Sequence, residues 1–196
     1  MATGPTYRVP YRRRRKGLTN YRKRLELLKN GRIRAIVRKS NNGILCQFIE
    51  YAETGDKTLV VASSLELSKY GYKGHTANIP AAYLTGYMCG LKAKKKGIKE
   101  AILDTGLYRT TKGSRIYAAL KGMVDAGIQI PHDAKILPEE RRIKGYHIAN
   151  YAAVLQSKDA HAYEVRFQKI LERKLIPEKY VEHFDEVKKR ISGEFA

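Results

Sequence analysis

The chain has no tryptophan, only two cysteines among its 196 residues, and 19 acidic residues against 39 basic ones. Each shortage excludes something. Cys46 and Cys89 stand far apart among apolar or small neighbours, so they supply neither a disulfide framework nor a zinc site, both of which need paired spacings. They read as reduced thiols packed in a core. His75 has no partner at ligand spacing, and neither a metal nor a cofactor is expected. No run approaches the roughly 20 apolar residues that a membrane-spanning helix needs. No apolar stretch follows the basic N-terminus, as one would in a secretory signal. Carboxylates are scarce wherever an acid–base pair would have to be built. The sequence contains no Gly-x-Gly-x-x-Gly, Gly-x-Ser-x-Gly or His-Glu-x-x-His. At GLYRTTKGS, residues 106–114, Thr111 stands where a Walker loop requires glycine before its lysine. Nothing positive indicates an enzyme.

What is present is positive charge. The formal net charge is +20, which points to a polyanionic partner, either a nucleic acid or an anionic membrane surface. The charge is polarised: residues 1–40 hold fourteen Lys/Arg against the single acid Glu26. Thirteen of the twenty net charges therefore lie in the first forty residues.

Tyrosines interleave with these cations. Tyr7, Arg8, Tyr11, Arg12, Arg13, Arg14, Arg15 and Lys16 are followed by Asn20, Tyr21, Arg22, Lys23 and Arg24. Guanidinium groups bind phosphates bidentately, and tyrosine offers a flat face to a splayed base and a hydroxyl to ribose. A solvated charge run or a localisation signal would share the arginines, but a solvated face normally mixes signs. RNA is the partner this pattern fits best. Two more segments suit the same chemistry. Arg38, Lys39, Ser40 and Asn41 close a strand with two cations and open a polar turn, although an ordinary hairpin turn reads the same way. Tyr72, Lys73, His75, Thr76 and Asn78 lie in a Gly-punctuated loop with aromatic, cationic and amide groups. The lysines at 92 and 94–96 form a third basic site, but they sit at a helix C-terminus, where the helix dipole also accounts for them.

With 43% hydrophobic residues the chain has enough apolar surface for a core. Residues 1–17 read as an extended basic arm, because Pro5 and Pro10 oppose helix. A helix from Asn20 to Lys29 is expected, with Thr19 as its cap and its leucines docking it so that Asn20, Arg24 and Lys23 face outward. Strands at 33–39, 44–51 and 58–62, joined by SNNG and TGD turns, predict an antiparallel meander. A helix over 78–96, a short strand at 101–104, a helix over 114–126 and a strand at 128–130 follow. Gly86 and Gly90 would let the first of these helices approach a sheet closely. The result is an α/β fold, a mixed sheet with helices packed on it, over residues 18–135. Residues 136–196 read as a helical C-terminal extension, with Tyr180, Phe184, Val187 and Ile191 at helical spacing.

The run PTYRVPYRRRR at 5–15, then TNYRKRL at 19–25, closely resembles the start of the large-subunit ribosomal protein L eighteen family in its archaeal form. The likeness continues at VRKSN (37–41), NIPAAYLTG (78–86), AILDTG (101–106) and DAGIQIPH (125–132), spanning about residues 5–150 in order. It departs at Ile79 and Thr105, neither of which is a basic contact. The resemblance implies a non-enzymatic constituent of the large subunit of cytoplasmic ribosomes. It implies binding of 5S ribosomal RNA in the central protuberance, with 23S ribosomal RNA and neighbouring ribosomal proteins as further partners. It assigns RNA contact to the arm, the Arg38–Asn41 turn and the loop before Asn78. An RNA-modifying or RNA-processing enzyme using the same basic surface is the alternative, and a scaffold bound to a membrane surface is a third.

Overall fold

A computed structural model describes residues 4–195. The basic N-terminal segment holds one helical turn, α1 (Arg12–Arg15), and a longer helix, α2 (Tyr21–Leu28). The stretch expected to be wholly extended is therefore interrupted once. Pro10 restrains the residue before it rather than those after it, so a turn at 12–15 costs little. The cap of α2 is Asn20, not Thr19: its side-chain oxygen accepts from the Lys23 amide at 3.1 Å.

Four strands make one sheet in the order β3-β2-β1-β4. They are β1 (Arg34–Lys39), β2 (Ile44–Glu50), β3 (Lys57–Ser63) and β4 (Ile102–Asp104). The first three form the antiparallel meander, and β4 joins β1 in parallel. The segment 128–130 makes only a single bridge, Gln129 to Glu100, because Gly127 and Pro131 leave too little extended chain between them for a strand. Alternation sorts the sheet's side chains. Ala35, Val37, Ile44, Cys46, Phe48, Val60 and Ala62 enter the main core on one face.

That face is covered by α3 (Ile79–Lys95) and α4 (Arg115–Asp125). The glycines of α3 serve the helix partner rather than the sheet. A Cβ on Gly86 would fall inside van der Waals contact of the Ala119 carbonyl, and one on Gly90 would strike Ala126. Gly122 of α4 faces the Tyr83 carbonyl in the same way. The two helices cross backbone to backbone. Both cysteines lie buried in this core, where desolvation pushes the thiols up, Cys89 to about 12.

Residues 64–70 form a 3-10 turn whose start is fixed by a capping box between Ser63 and Glu66. After α4 come α5 (Glu140–Lys144), α6 (Tyr146–Lys158), α7 (Ala160–Leu171) and α8 (Tyr180–Phe195). Two of these make a separate small cluster, with Ala152 of α6 packed on Tyr163 and Phe167 of α7. In contrast, α8 completes the main core with Phe184, Val187 and Ile191. Tyr180, fully buried, begins it: its hydroxyl lies 2.6 Å from that of Tyr72 and accepts from Asn78 Nδ2 at 2.7 Å. Burial holds both phenols above their usual range, so they remain neutral donors and acceptors.

Candidate nucleic-acid interface

Strands β1 and β4 run parallel, with Asp104 at the end of β4 opposite Ile36 of β1. The loops that leave them therefore emerge at one end of the sheet. The β1–β2 turn is closed by Ser40, whose amide donates to the Gly43 carbonyl at 2.8 Å and whose Oγ accepts from the Gly43 amide at 3.0 Å. Loop 106–113 reaches it through the Tyr108 hydroxyl, which donates to the Lys39 carbonyl at 2.9 Å. Lys39 in turn places its Nζ 5.6 Å from the Tyr108 ring centre. Loop 73–78 is fastened to the same turn by Thr76, whose hydroxyl donates to the Asn42 carbonyl. Arg115, at the start of α4, ties all of this together. Its Nη1 donates to the Ser40 carbonyl at 3.0 Å and to the Ala77 carbonyl at 2.8 Å.

The three loops thus form one ridge. On it Arg38, Ser40, Asn41, Lys73, His75, Arg109 and Lys112 are exposed. The first five are the ones the sequence points to. Arg115 is the tie, and the signal for it was weak: one cation after a serine at a helix start.

Two residues expected to touch RNA are committed to the fold. Tyr72 is 6% exposed, and its hydroxyl bonds Tyr180 and, at 3.0 Å, Asn78 Oδ1. Asn78 caps α3 by accepting from the Ala81 amide at 2.8 Å. A hydroxyl or amide that meets its partners inside the protein has nothing left to offer a ligand. Thr76 is engaged with Asn42, as above. His75 accepts from the Ala77 amide through Nδ1 at 3.1 Å and keeps its exposed ring edge.

The arm divides in a similar way. Tyr7, Arg8, Tyr11, Arg12, Arg13, Arg14, Arg15, Lys16 and Arg22 are all exposed. Their contacts are local: Arg13 Nε donates to Thr19 Oγ1 at 2.8 Å, and the Tyr11 and Tyr21 rings lie 5.1 Å apart. Helix α2 itself buries no residue, and Leu25 is 59% exposed. The leucines dock it only in part, since Leu27 and Leu28 are half-buried. The cations carry the rest. Arg24 donates both Nη groups to Asp56, at 2.7 and 2.8 Å, and Lys23 Nζ donates to Thr105 Oγ1 at 2.9 Å. Asp56 and Thr105 lie on the β2–β3 turn and just past β4, and these polar rims were the acceptors within reach.

The Arg24 guanidinium, with Arg34 beside it, holds the Asp56 carboxyl below the usual carboxylate range. A depressed carboxylate contributes stability above its unfolded-state value and loses it as pH falls through the lowered one. Acidification below the ordinary aspartate range is therefore expected to loosen α2. Amide hydrogen exchange of residues 21–28, corrected for intrinsic pH dependence, should show protection lost there before it is lost in α3.

Among the described residues no group of His, Cys, Asp and Glu is placed to hold a metal ion, and no helix is long and apolar enough to cross a membrane. The family model for "Ribosomal large subunit proteins 60S L5, and 50S L18" matches residues 5–100 and 92–133. The large ribosomal subunit protein uL18 of Methanococcus maripaludis is 52% identical over 191 residues, covering 97% of this chain and 98% of that relative.

Proposed function

The chain belongs to the family of large-subunit ribosomal proteins that includes 60S L5 and 50S L18, and from that premise we propose that it binds 5S ribosomal RNA and helps seat it against 23S ribosomal RNA in the central protuberance. It is a structural constituent of the large subunit of the ribosome and not an enzyme. The observation that carries the finer reading is the ridge of three loops knitted by Arg115, together with an arm whose exposed arginines have almost no partner within the protein. Such a surface is rigid at its centre and adaptable at its edge. The ridge would read the shape of folded RNA, while residues 1–17 would order along phosphates on binding.

In this reading residues 18–135 present the RNA-binding surface and the α6–α7 hairpin of the C-terminal extension faces protein neighbours. The hairpin of α6 and α7 supports the second half, since Tyr151, Val154 and Val165 are each about half exposed or more, at 49%, 50% and 61%. The experiment is a titration of purified 5S RNA at increasing salt. About eight neutralised phosphates give a log–log slope of roughly −6 to −7. A slope near zero, or equal affinity for an unrelated hairpin RNA, would remove the reading.

A further inference from the structure

Of the thirteen cations between Arg8 and Arg38, two point inward and one is buried outright. Arg34 is 2% exposed and lies between two carboxylates. Its Nη2 donates to Asp56 at 2.7 Å and its Nη1 to Asp104 at 3.0 Å. Asp56 thus accepts from a buried arginine of β1 and, bidentately, from Arg24 of α2. Lys23, next in the helix, closes the other side by reaching Thr105 and, at 3.3 Å, the carbonyl of Gly106. Gly106 is the root of the loop whose Tyr108 reaches Lys39.

The helix that carries the arm buries no side chain outright: Leu25 is exposed, and Leu27 and Leu28 are only half-buried. Its pose on the sheet rests on this row of charges. Resting on the RNA-binding reading above, we propose that Asp56 is a positioning residue for RNA recognition: an acid that fixes α2 through Arg24 and so aims the arm along the ridge. Arg24 and Lys23 then act on the protein and not on phosphate. Asp56 is itself anchored from beneath, because Arg34 cannot leave its buried site without breaking two ion pairs. That makes the clamp stiff on the sheet side and releasable on the helix side.

The proposal makes a prediction opposite in sign to plain electrostatics. Asp56→Asn removes a negative charge next to an RNA-binding arm, so charge alone predicts tighter binding. Loss of the clamp predicts weaker binding, by roughly tenfold, because the arm must then be ordered at the moment of association. The salt slope should stay that of the unaltered protein, whereas loss of a true phosphate contact lowers it by about 0.7.

The test measures 5S RNA affinity across salt for the unaltered chain, Asp56→Asn, Arg24→Ala and the double variant. Hydrogen exchange of residues 21–28 is followed alongside in the free proteins. Arg24→Ala leaves the Arg34 pairs with Asp56 and Asp104 in place, so it tests the tether even if Asp56→Asn disturbs the sheet. Expected are weaker binding for each single variant with slope unchanged, no further loss in the double variant, and faster exchange in α2. Asp56→Glu, which retains the charge, should restore most of the affinity. Tighter or equal binding by Asp56→Asn, additive losses in the double variant, or a lowered slope for Arg24→Ala each overturn the proposal. Absence of 5S binding by the unaltered chain overturns the functional reading and carries this inference down with it.

Discussion

Removal of residues 1–16 is expected to weaken 5S RNA binding by about three orders of magnitude at physiological salt while the remaining protein melts within a few degrees of the full chain. The segment carries six cations, at Arg8, Arg12, Arg13, Arg14, Arg15 and Lys16. At about 0.7 of a counterion per phosphate, losing six contacts flattens the log–log slope by about 4, and at roughly 0.15 M salt that slope corresponds to about three decades. Stability should hardly change, because none of the described residues of the segment is buried. The contacts it gives up are local, chiefly the Tyr11–Tyr21 pair and the Arg13–Thr19 hydrogen bond. Filter-binding or anisotropy titrations and a thermal melt settle both halves. A melt lowered by tens of degrees would make the arm structural, and a loss of only a few-fold would place affinity on the ridge instead.

The second large effect falls on stability. Gly86→Ala should cost about 3 kcal/mol or more, at the upper end of what overpacking inflicts on a core. The new methyl has no room: the obstacle is the backbone carbonyl of Ala119, itself fixed within α4. Two helices would have to separate, and the buried layer beneath them, including Leu84, Met88, Leu120 and Met123, would lose contact. For a chain of this length the cost lowers the melting temperature by roughly 6–12 °C. Gly193→Ala is the control. It lies in α8 with nothing within 4 Å of the added atom, so the better helix propensity of alanine should leave stability equal or up to about 1 kcal/mol higher. A Gly86→Ala protein that melts like the unaltered chain would show that the α3–α4 crossing is looser than its geometry.

The elements were legible because their signals are local. TLVVA at 58–62, the Asn78-x-Pro80 helix start and Gly97 are punctuation a chain carries on its surface. Even the parallel addition of β4 followed from helix–strand–helix order. What was not legible is who meets whom. Gly86 announces a close approach, but whether to a strand or to a helix depends on the packing of residues more than thirty positions away. Lys23 and Arg24 look identical in kind to Arg22. Only the positions of Asp56 and Thr105, both distant in sequence, separate these anchors from Arg22, whose partner is Glu26 of its own helix.

Tyr72 and Asn78 failed for a related reason. Their residue types suit both RNA contact and a buried polar network, and the deciding partner, Tyr180, lies about a hundred residues on. From sequence the last helix reads as part of a C-terminal extension because polar residues fill most of α8, although Tyr180, Phe184, Val187 and Ile191 recur at helical spacing. Their burial shows that four well-placed side chains suffice to close a core. The basic arm itself was the clearest feature in the sequence, since its meaning rests on composition and needs no tertiary partner.

The hydrogen-bonded trio of Tyr72, Asn78 and Tyr180 also bears on the order of events during synthesis. Domains fold as units as the chain emerges, N-terminal parts first, and here the arm and the meander emerge long before α8. Until then the cavity awaiting Phe184, Val187 and Ile191 stands open, and the loop before Asn78 lacks the phenol that holds it. A nascent chain therefore displays its most cationic segment well before it owns a finished recognition surface. During that interval it is expected to adhere to any polyanion with little discrimination, and the selectivity of the proposed surface to arrive with the last helix.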